Sequence, residues 1–491
     1  MPCHNRLREY SQVFLWGIFY LLLVGAIQWQ IPSPMDADTD YHAAVAYLIR
    51  DHGILRVFPW TPFSWLADNY ADKELLFHLL FIPFLKFGWV TASRIVGMIC
   101  GAGILMTTYL LLRYEKVANA WLWALIPLAV SHTFAYRFSI VRPHLLSISL
   151  AILVLWFAAK GKMKLLAAVS AIYPWAYVAW LMPLILVGIA ETGRYLAGQS
   201  IRIRPLLMAI GGVAAGLALH PNTINLLRLA WIQIVDVLIK NAWGTKTGFD
   251  LGLEFLPETL EGWGRGLLVC VAMTTAALYF SWRDRRQSEL SLIFTLATLG
   301  YAVMTAKSCR FLEYFVPFSA ISLALASKNI RWRFLPQTLI IISLIYMLGL
   351  NHRFLRSFAD SPNCLPATVI SFMQGKIPPG SQVFTPDWDY TGELMLALPE
   401  RKFIVGLDPT FFYLKDPDLY RLWYRISHDA PPDTVDQIRN KFASRYVIYP
   451  YPIKILPQDW TPFLDRLYSD QRVKTYFIED LWILFDLGSL N

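Results

Sequence analysis

The chain has 491 residues, of which 56% are hydrophobic, 15% are aromatic and only 16% are charged. Soluble domains carry about a quarter of their residues as charged side chains, so this composition excludes an ordinary soluble protein. Apolar runs of about 17–25 residues, the length that crosses a hydrocarbon layer of roughly 30 Å, recur through most of the first ~350 residues. The sequence therefore predicts a multi-pass membrane protein.

The net charge is +9, from 44 Lys and Arg against 35 Asp and Glu. A basic balance can indicate nucleic-acid binding, but here much of the Lys and Arg lies in short groups between apolar runs, as the positive-inside rule expects. We therefore predict no nucleic-acid partner. The five cysteines have neither CxxC nor zinc-site spacing, which argues against a disulfide framework or a metal ribbon.

The apolar runs predict eleven membrane spans. The weakest assignment is the pair at 164–190, whose apolar length is too great for one upright helix and barely enough for two, with Tyr173-Pro174-Trp175 as the break. The first run follows a basic stub and precedes no small-residue cleavage site, so we expect an uncleaved span. The predicted spans are 12–31, 92–112, 119–136, 144–159, 164–177, 178–190, 205–219, 265–282, 290–306, 311–327 and 334–351.

The basic loops predict the orientation of these spans. A cytoplasmic N-terminus places sixteen positive residues on one side of the membrane, and an odd number of spans then leaves the C-terminus outside. The inside groups are Arg6/Arg8, Arg113/Lys116, Lys160/Lys162/Lys164, Arg194/Arg202/Arg204, Arg283/Arg285/Arg286 and Lys328/Arg331/Arg333.

Two segments lack the membrane pattern. Residues 32–91 form an acidic outside loop with two amphipathic stretches, near 40–50 and 74–87, which we interpret as helices on the membrane surface. Residues 352–491 alternate short strands and helices, so they predict a small external α/β domain after a membrane domain at 1–351. The strands are expected at Gln382–Thr385, Lys402–Val405, Tyr446–Tyr449 and Trp482–Phe485, and the helices at Leu419–Ile426, Val435–Phe442 and Pro462–Leu467.

Two outside turns carry basic residues that membrane insertion does not require. Arg137 and Arg142, with His144, flank one turn, and Lys307 and Arg310, with Glu313, flank another. Arg offers bidentate donors to phosphate oxygens and Lys adds a point charge, so both turns could hold the phosphate or pyrophosphate of a lipid-linked substrate. The alternatives are interface anchors that meet lipid phosphates, and ion pairs that tie the loop to the spans.

The acidic loop contains the candidate catalytic groups. In MDADTDYH, a helix starting near Thr39 would put Asp40 in its first turn, close to Asp36 and Asp38. A carboxylate there can act as a general base on an acceptor hydroxyl, or can bind a divalent ion. The alternative is an N-cap with ordinary solvated acids. Asp72 and Glu74 begin the second surface helix, where acids also suit the helix dipole.

With these residues the chain resembles the GT-C superfamily of polytopic glycosyltransferases. Its motifs are similar to those of a group of bacterial membrane proteins within that superfamily. The resemblance spans nearly the whole chain, although no single motif is specific. The family's His-Glu is Lys73-Glu74 here, and its Asn-Pro is His220-Pro221. The matching motifs are Asp38-Thr39-Asp40, His42, His52-Gly53, Pro62-Phe63-Ser64-Trp65, Asp72-Lys73-Glu74-Leu75, Arg142-Pro143-His144 and Arg310-Phe311.

The resemblance implies a hexosyl or pentosyl transferase in the bacterial inner membrane. It would transfer a sugar from a polyprenyl-phosphate donor to a lipid, glycan or protein acceptor on the outer face. It implies that Asp38 or Asp40 is the base and Glu74 a second acid, and that a divalent cation, if one is used, binds Asp38 and Asp40. The implied substrate-binding residues are His42, Asp72, Arg137, Arg142, His144, Lys307 and Arg310.

A non-enzymatic transporter, or a protein that handles lipids or glycans, is the rival hypothesis. Transporters usually have ionisable residues or broken helices near mid-membrane and show internal repeats. In this chain the span centres hold almost no ionisable residue, and charge collects at the outer ends. This distribution favours chemistry at the membrane surface.

The orientation can be tested with reporter fusions. We expect alkaline phosphatase to be active when fused after Asn491 and inactive when fused after Arg286, because the sixteen grouped positive residues require this register. Activity after Arg286 and none after Asn491 would overturn the topology.

Overall fold

The computed structural model describes residues 2–30, 36–240, 253–329, 334–343, 365–406, 408–450, 461–479 and 482–489. Within these ranges the chain is mainly helical and has one small sheet near the C-terminus. The predicted fold class, a helical membrane protein with a C-terminal α/β part, is confirmed. Residues 344–351 of the last predicted span, together with Arg331 and Arg333, lie outside the described residues.

Seventeen helices precede the C-terminal α/β region in the described part of the chain. Short 3₁₀ segments at Ile82–Phe87, Leu253–Phe255, Cys309–Phe311 and Ser327–Asn329, and a π-helical segment at Ile232–Lys240, join some of them. The helices are α1 Pro2–Gln30, α2 Ala37–His52, α3 Leu66–Asn69, α4 Leu75–Phe81, α5 Trp89–Tyr114, α6 Ala120–Val130, α7 His132–Ser139, α8 His144–Ala159, α9 Met163–Ala176, α10 Met182–Leu196, α11 Ile203–Leu219, α12 Thr223–Trp231, α13 Leu260–Gly266, α14 Leu268–Arg283, α15 Glu289–Lys307, α16 Leu312–Ala326 and α17 at 335–343.

Within the described residues every predicted span falls on helix, but two spans are not continuous. The eighth is divided between α13 and α14, which are bent by 77°, and the third is divided between α6 and α7. The chain breaks at Ser131, whose hydroxyl caps α7 by accepting from the Phe134 N–H at 3.2 Å, and α7 is bent by 111° from α8. By length and composition, four described helices can cross a membrane, or up to seven if each of three bent pairs is one span. The count of eleven spans therefore stays a prediction.

Helices α9 and α11 pack closely because α11 presents glycines to α9. A Cβ atom at Gly212 would lie 2.3 Å from the Ala167 carbonyl oxygen, and one at Gly216 would lie 2.2 Å from the Ala171 carbonyl oxygen. Membrane helices without a hydrophobic driving force between them associate through such small-residue surfaces. The spacing of these two glycines therefore permits the close contact.

Hydroxyl groups cross-link other helices of the bundle. Ser147 and Tyr314 share a hydrogen bond of 2.7 Å between α8 and α16, and Thr298 and Ser322 share one of 2.7 Å between α15 and α16. In an apolar surrounding, each such bond satisfies two polar groups that would otherwise be costly to bury.

The chain divides into two compact units. Counting only the described residues in each range, the first contains Met1–Pro32, Lys73–Thr223 and Gly252–Ser361, and the second contains Ser33–Asp72, Ile224–Leu251 and Pro362–Asn491. The contacts thus group most of the first acidic loop with the C-terminal α/β region. The domain boundary expected at 351 stays a prediction.

The second unit is built on a five-stranded sheet with the order β2-β1-β3-β5-β4. Strands β2, β1 and β3 are parallel, whereas β5 runs antiparallel to both β3 and β4. Its elements are α18 Ala367–Lys376, β1 Gln382–Phe384, α19 Thr391–Ala397, β2 Lys402–Phe403, α20 Thr410–Lys415, α21 Pro417–Asp429, α22 Thr434–Lys441, β3 Tyr446–Pro450, α23 Pro462–Ser469, β4 Lys474–Ile478 and β5 Trp482–Asp486.

The four predicted strands are all present, and sequence analysis missed β4. This strand lies at the edge of the sheet and is largely half-exposed, so its side chains do not show the apolar run of a central strand such as β5. Helices α21, α22 and α23 cover the sheet, with Trp423, Ile438 and Phe463 in the core.

The acidic loop is held on this sheet by main-chain and tryptophan contacts. The indole of Trp60 donates to the Pro399 carbonyl at 2.8 Å, and the Trp60 carbonyl accepts from the Phe403 N–H at 2.7 Å. Lys415 reaches back to Asp68 at 2.7 Å. These contacts fix a segment of the first loop that has no core of its own.

The glycine contact between α9 and α11 predicts a position-specific loss of stability. We expect Gly212→Ala and Gly216→Ala to lower the melting temperature by several °C, because each added methyl meets fixed backbone, at a cost of about 1–3 kcal/mol. Gly211→Ala is the matched control, since it faces open space and alanine favours a helix. Thermal unfolding of the detergent-solubilised protein measures this, and equal melting temperatures for all three variants would contradict it.

Candidate functional site

Two groups of ionisable residues, one in each compact unit, contain most of the predicted site residues. In the second unit, Asp36 precedes α2, and Asp38 and Asp40 lie in its first turn. Asp40 is only 2% exposed, and its Oδ1 has no hydrogen-bond partner among the described residues. A solvated N-cap acid would not be buried in this way, so Asp40 is the unusual member of the group.

A glutamate that sequence analysis did not identify acts on Asp40. Glu393 lies on α19, whose Gly392 packs so closely on α2 that a Cβ there would lie 2.2 Å from the Ala37 carbonyl oxygen. The signal in the sequence was a single acid in the apolar stretch TGELMLA. Nothing in that stretch indicates a partner more than 350 residues earlier.

Burial and neighbouring carboxyls change the acidity of this group. Burial, followed by the charges of Glu393, Asp36 and Asp38, raises the pKa of Asp40 well above its ordinary range. Burial also raises the pKa of Glu393 to about 8, in spite of a backbone hydrogen bond involving Leu365. A carboxyl with a raised pKa is a stronger proton acceptor once it is ionised, which suits general-base chemistry near neutral pH.

The same oxygens suit a divalent cation. Hard cations prefer carboxylate oxygens, and a buried carboxylate oxygen without a hydrogen bond, as on Asp40, is where such an ion would be held. Asp38 is half-buried and lies two residues before Asp40 on the same helix. In the first unit, Glu74 and His78 offer ligand atoms within 4.8 Å of each other.

The remaining predicted residues of the acidic loop are buried on α2 or just before α4. His42 is buried on α2, and Asp72 is buried at the end of the loop segment. Glu74 is buried at the start of α4, with the Lys73 ammonium 3.9 Å away. Their predicted roles, a second acid for Glu74 and substrate binding for His42 and Asp72, stay predictions.

In the first unit, the two basic turns meet at one carboxylate. Glu254, in the 3₁₀ segment before α13, accepts hydrogen bonds of 3.0 Å from Arg137 at the end of α7, from Arg142 before α8 and from Arg310 before α16. Three of the four predicted phosphate-binding cations therefore converge. Lys307, the fourth, is half-buried at the end of α15.

A second glutamate neutralises Arg137. The Arg137 Nε donates to Glu313 Oε1 at 2.6 Å, and the Arg137 Nη2 contacts the same oxygen. His144 donates from Nε2 to the Arg137 carbonyl at 2.8 Å, and its Nδ1 lies 4.0 Å from Glu313. The sequence identified the arginines, His144 and Glu313, but it did not identify Glu254, and it gave no sign that Glu313 pairs with Arg137.

The arginines keep Glu254 ionised. Burial alone would raise the pKa of this carboxyl, but Arg310, Arg137 and Arg142 outweigh burial and hold the pKa well below its ordinary range. Three guanidiniums against the carboxylates of Glu254 and Glu313 leave the cluster with one net positive charge. In the structure these arginines thus form ion pairs with Glu254 and Glu313, and their predicted role in phosphate binding stays a prediction.

The sequence matches no protein-family model and no curated protein. Three solved structures have a similar fold over most of this chain. These are ArnT from Cupriavidus metallidurans bound to undecaprenyl phosphate (TM-score 0.64, 11% identity, 98% of each chain), the archaeal oligosaccharyltransferase AglB from Archaeoglobus fulgidus with an inhibitory peptide and a dolichol-phosphate (0.61, 14%, 89% of this chain and 69% of that one), and the mycobacterial arabinofuranosyltransferase AftD (0.60, 13%, 96% and 40%).

These likenesses confirm the predicted GT-C-like fold of the chain. At 11–14% identity they show the fold alone. The chemistry has to be argued from the residues of this chain.

The raised pKa of Glu393 predicts a pH-dependent effect on stability. Its folded-state pKa of about 8 exceeds the ordinary 4.5, so its contribution to stability is complete below pH 4.5 and is lost as the pH rises toward 8. We expect Glu393→Gln to melt at or near the wild-type temperature at pH 5 and at least about 2–4 °C higher at pH 8.

Thermal unfolding in the presence of a chelator, at both pH values, measures this effect. The matched control is Glu400→Gln, at an exposed position of the same unit, which we expect to show no such pH trend. A Glu393→Gln variant that gains nothing between pH 5 and pH 8 would contradict the assignment.

Proposed function

We propose that the protein is a membrane glycosyltransferase that takes a sugar from a polyprenyl-phosphate-linked donor. The acceptor is a lipid, a glycan or a protein at the outer face of the bacterial inner membrane. The observation that carries the proposal is the buried Asp40 carboxyl, with one oxygen free of hydrogen bonds, in the first loop of a GT-C-like fold. The undecaprenyl phosphate bound to ArnT and the dolichol-phosphate bound to AglB support a lipid phosphate as the donor's carrier.

Asp40 is the proposed general base. It accepts the proton of the acceptor's nucleophilic group as that group's atom bonds to the sugar C1. The bond from C1 to the phosphate oxygen breaks, and its electron pair leaves on the phosphate. Asp38, half-buried nearby on α2, is the alternative base. A divalent cation held by Asp38 and Asp40 would supply positive charge to the substrate oxygens.

The arginines are proposed to bind the donor phosphate and stabilise it as it leaves. Arg142 and Arg310 pair with Glu254, whereas Arg137 is also fixed by the fully buried Glu313. Guanidinium groups aimed at an oxygen that gains charge lower the energy of the transition state. Lys307 adds a further positive charge, and His144 orients Arg137.

In this proposal Glu74 is a second acid, and His42 and Asp72 contact the substrate. Hexosyl and pentosyl donors both fit this scheme. The non-enzymatic alternative, a transporter or lipid-handling protein, needs no proton acceptor, so it is distinguished by the effect of removing the Asp40 charge.

We expect Asp40→Asn to reduce transfer by about 10²–10⁴-fold, because the amide keeps size and hydrogen bonding but cannot accept the proton. The assay measures polyprenyl phosphate released from donor lipids that are extracted from the native membrane, so it needs no knowledge of the sugar. The matched control is Asp51→Asn, at the exposed end of the same helix, which should keep wild-type activity.

Asp38→Asn separates the two candidate bases in the same assay. Wild-type release by both Asp38→Asn and Asp40→Asn, at wild-type expression, would remove the acidic loop from the chemistry. No release of polyprenyl phosphate by the wild-type protein, above that of the donor lipids alone, would favour the non-enzymatic alternative.

A further inference from the structure

Glu254 occupies the position that an anionic ligand of the arginine cluster would need. Its Oε2 accepts from Arg137 and Arg142, and its Oε1 accepts from Arg310, each at 3.0 Å. Both oxygens are thus engaged, and all three guanidiniums point at one small anion. A carboxylate in this position satisfies the same donors that would contact the oxygens of a phosphate.

The two glutamates of the cluster differ in how firmly they are held. Glu313 is 0% exposed and belongs to the long helix α16, so its carboxylate has no way out of the bundle. The Glu254 side chain is 22% exposed and lies in a segment of three residues. Glu254 is therefore the member of the cluster that can exchange with a ligand.

The main chain around Glu254 is anchored independently of its carboxylate. The Glu254 carbonyl accepts from the Ser308 hydroxyl at 2.8 Å, and the Leu256 carbonyl accepts from the Cys309 N–H at 2.8 Å. The side chain can consequently rotate out of the cluster while the backbone stays bonded to the turn before α16.

The charge balance of the cluster indicates which anion would replace the Glu254 carboxylate. With both glutamates present, the three arginines leave one net positive charge, and without the Glu254 carboxylate they leave two. In the proposed reaction the donor is a phosphodiester with one negative charge, and the polyprenyl phosphate that leaves is a monoester with up to two. A monoester also presents three acceptor oxygens, one more than a carboxylate, to three planar donors. A phosphate of a lipid is therefore the class of anion that fits better than the resident carboxylate.

We propose that Glu254 is an internal substitute for the monoester phosphate of the polyprenyl carrier, which displaces this carboxylate from Arg137, Arg142 and Arg310 when it binds. The inference rests on the proposed function, since it takes polyprenyl phosphate to be the carrier that transfer releases. The resident carboxylate competes with the ligand, so only the fraction of molecules with an open cluster binds, and the apparent affinity is reduced by that fraction. Glu254 thereby sets the affinity and selectivity of the cluster for anions.

Equilibrium binding to the purified full-length protein tests this proposal. The probes are undecaprenyl phosphate, undecaprenol, which lacks the phosphate, and inorganic phosphate. We expect Glu254→Gln to bind undecaprenyl phosphate about 3–30-fold more tightly than wild type, and to bind undecaprenol unchanged. Tighter binding of inorganic phosphate alone would assign the cluster to a free anion and overturn the lipid assignment.

Two further variants keep the test decisive. Glu261→Gln, at an exposed position on α13, is the matched control and should bind as wild type does. Glu254→Asp keeps the charge but shortens the reach, so it should also bind undecaprenyl phosphate more tightly, by a smaller factor. This variant serves if Glu254→Gln fails to fold.

The outcomes separate this inference from the proposed function. Folded Glu254→Gln and Glu254→Asp variants that bind undecaprenyl phosphate no more tightly than wild type overturn the inference, and glycosyl transfer by wild type would still stand. Tighter binding by these variants, combined with no release of polyprenyl phosphate by the wild-type protein, would support the inference and reject the transferase.

Discussion

A charge removed from water has to be neutralised or lost, and the ionisable groups of both units follow this constraint. An isolated buried ion costs several kcal/mol even after relaxation. In the helical unit, Glu254 and Glu313 neutralise arginines that lie between apolar helices. In the α/β unit, no cation among the described residues offsets the burial of Asp40 and Glu393, so burial raises their pKa values. The same constraint thus gives one unit a set of ion pairs and the other a pair of weak acids.

The ion pairs and the weakly acidic carboxyls suit different steps of group transfer. A carboxyl with a raised pKa accepts a proton well near neutral pH, whereas guanidiniums that already surround a carboxylate are positioned for an anion. Pairing the arginines with glutamates also keeps the cluster stable before any ligand binds, because three unpaired guanidiniums would repel one another. Arg142 and Arg310 can then exchange one anion for another without unfolding the turns that carry them.

The acidic helix depends on the C-terminal region for its position. The loop from 36 to 72 contributes no strand of its own, yet Trp60 bonds to both Pro399 and Phe403, and the close contact at Gly392 holds α2 against α19. Asp40 is buried because of this contact. The C-terminal α/β region therefore determines the position of the first loop and the burial of Asp40.

The sequence by itself determined the membrane helices, most of the strands and the identity of the basic and acidic turns, because hydropathy and periodicity are local properties. Only the tertiary structure decided which charges meet. Glu254 lies 117 residues from Arg137, and Glu313 lies 176 residues from it, and no local pattern encodes pairing at such separations. Glu393 likewise depends on the fold to meet Asp40. The edge strand β4 was missed for the opposite reason, since its half-exposed side chains lack the apolar run that a central position imposes.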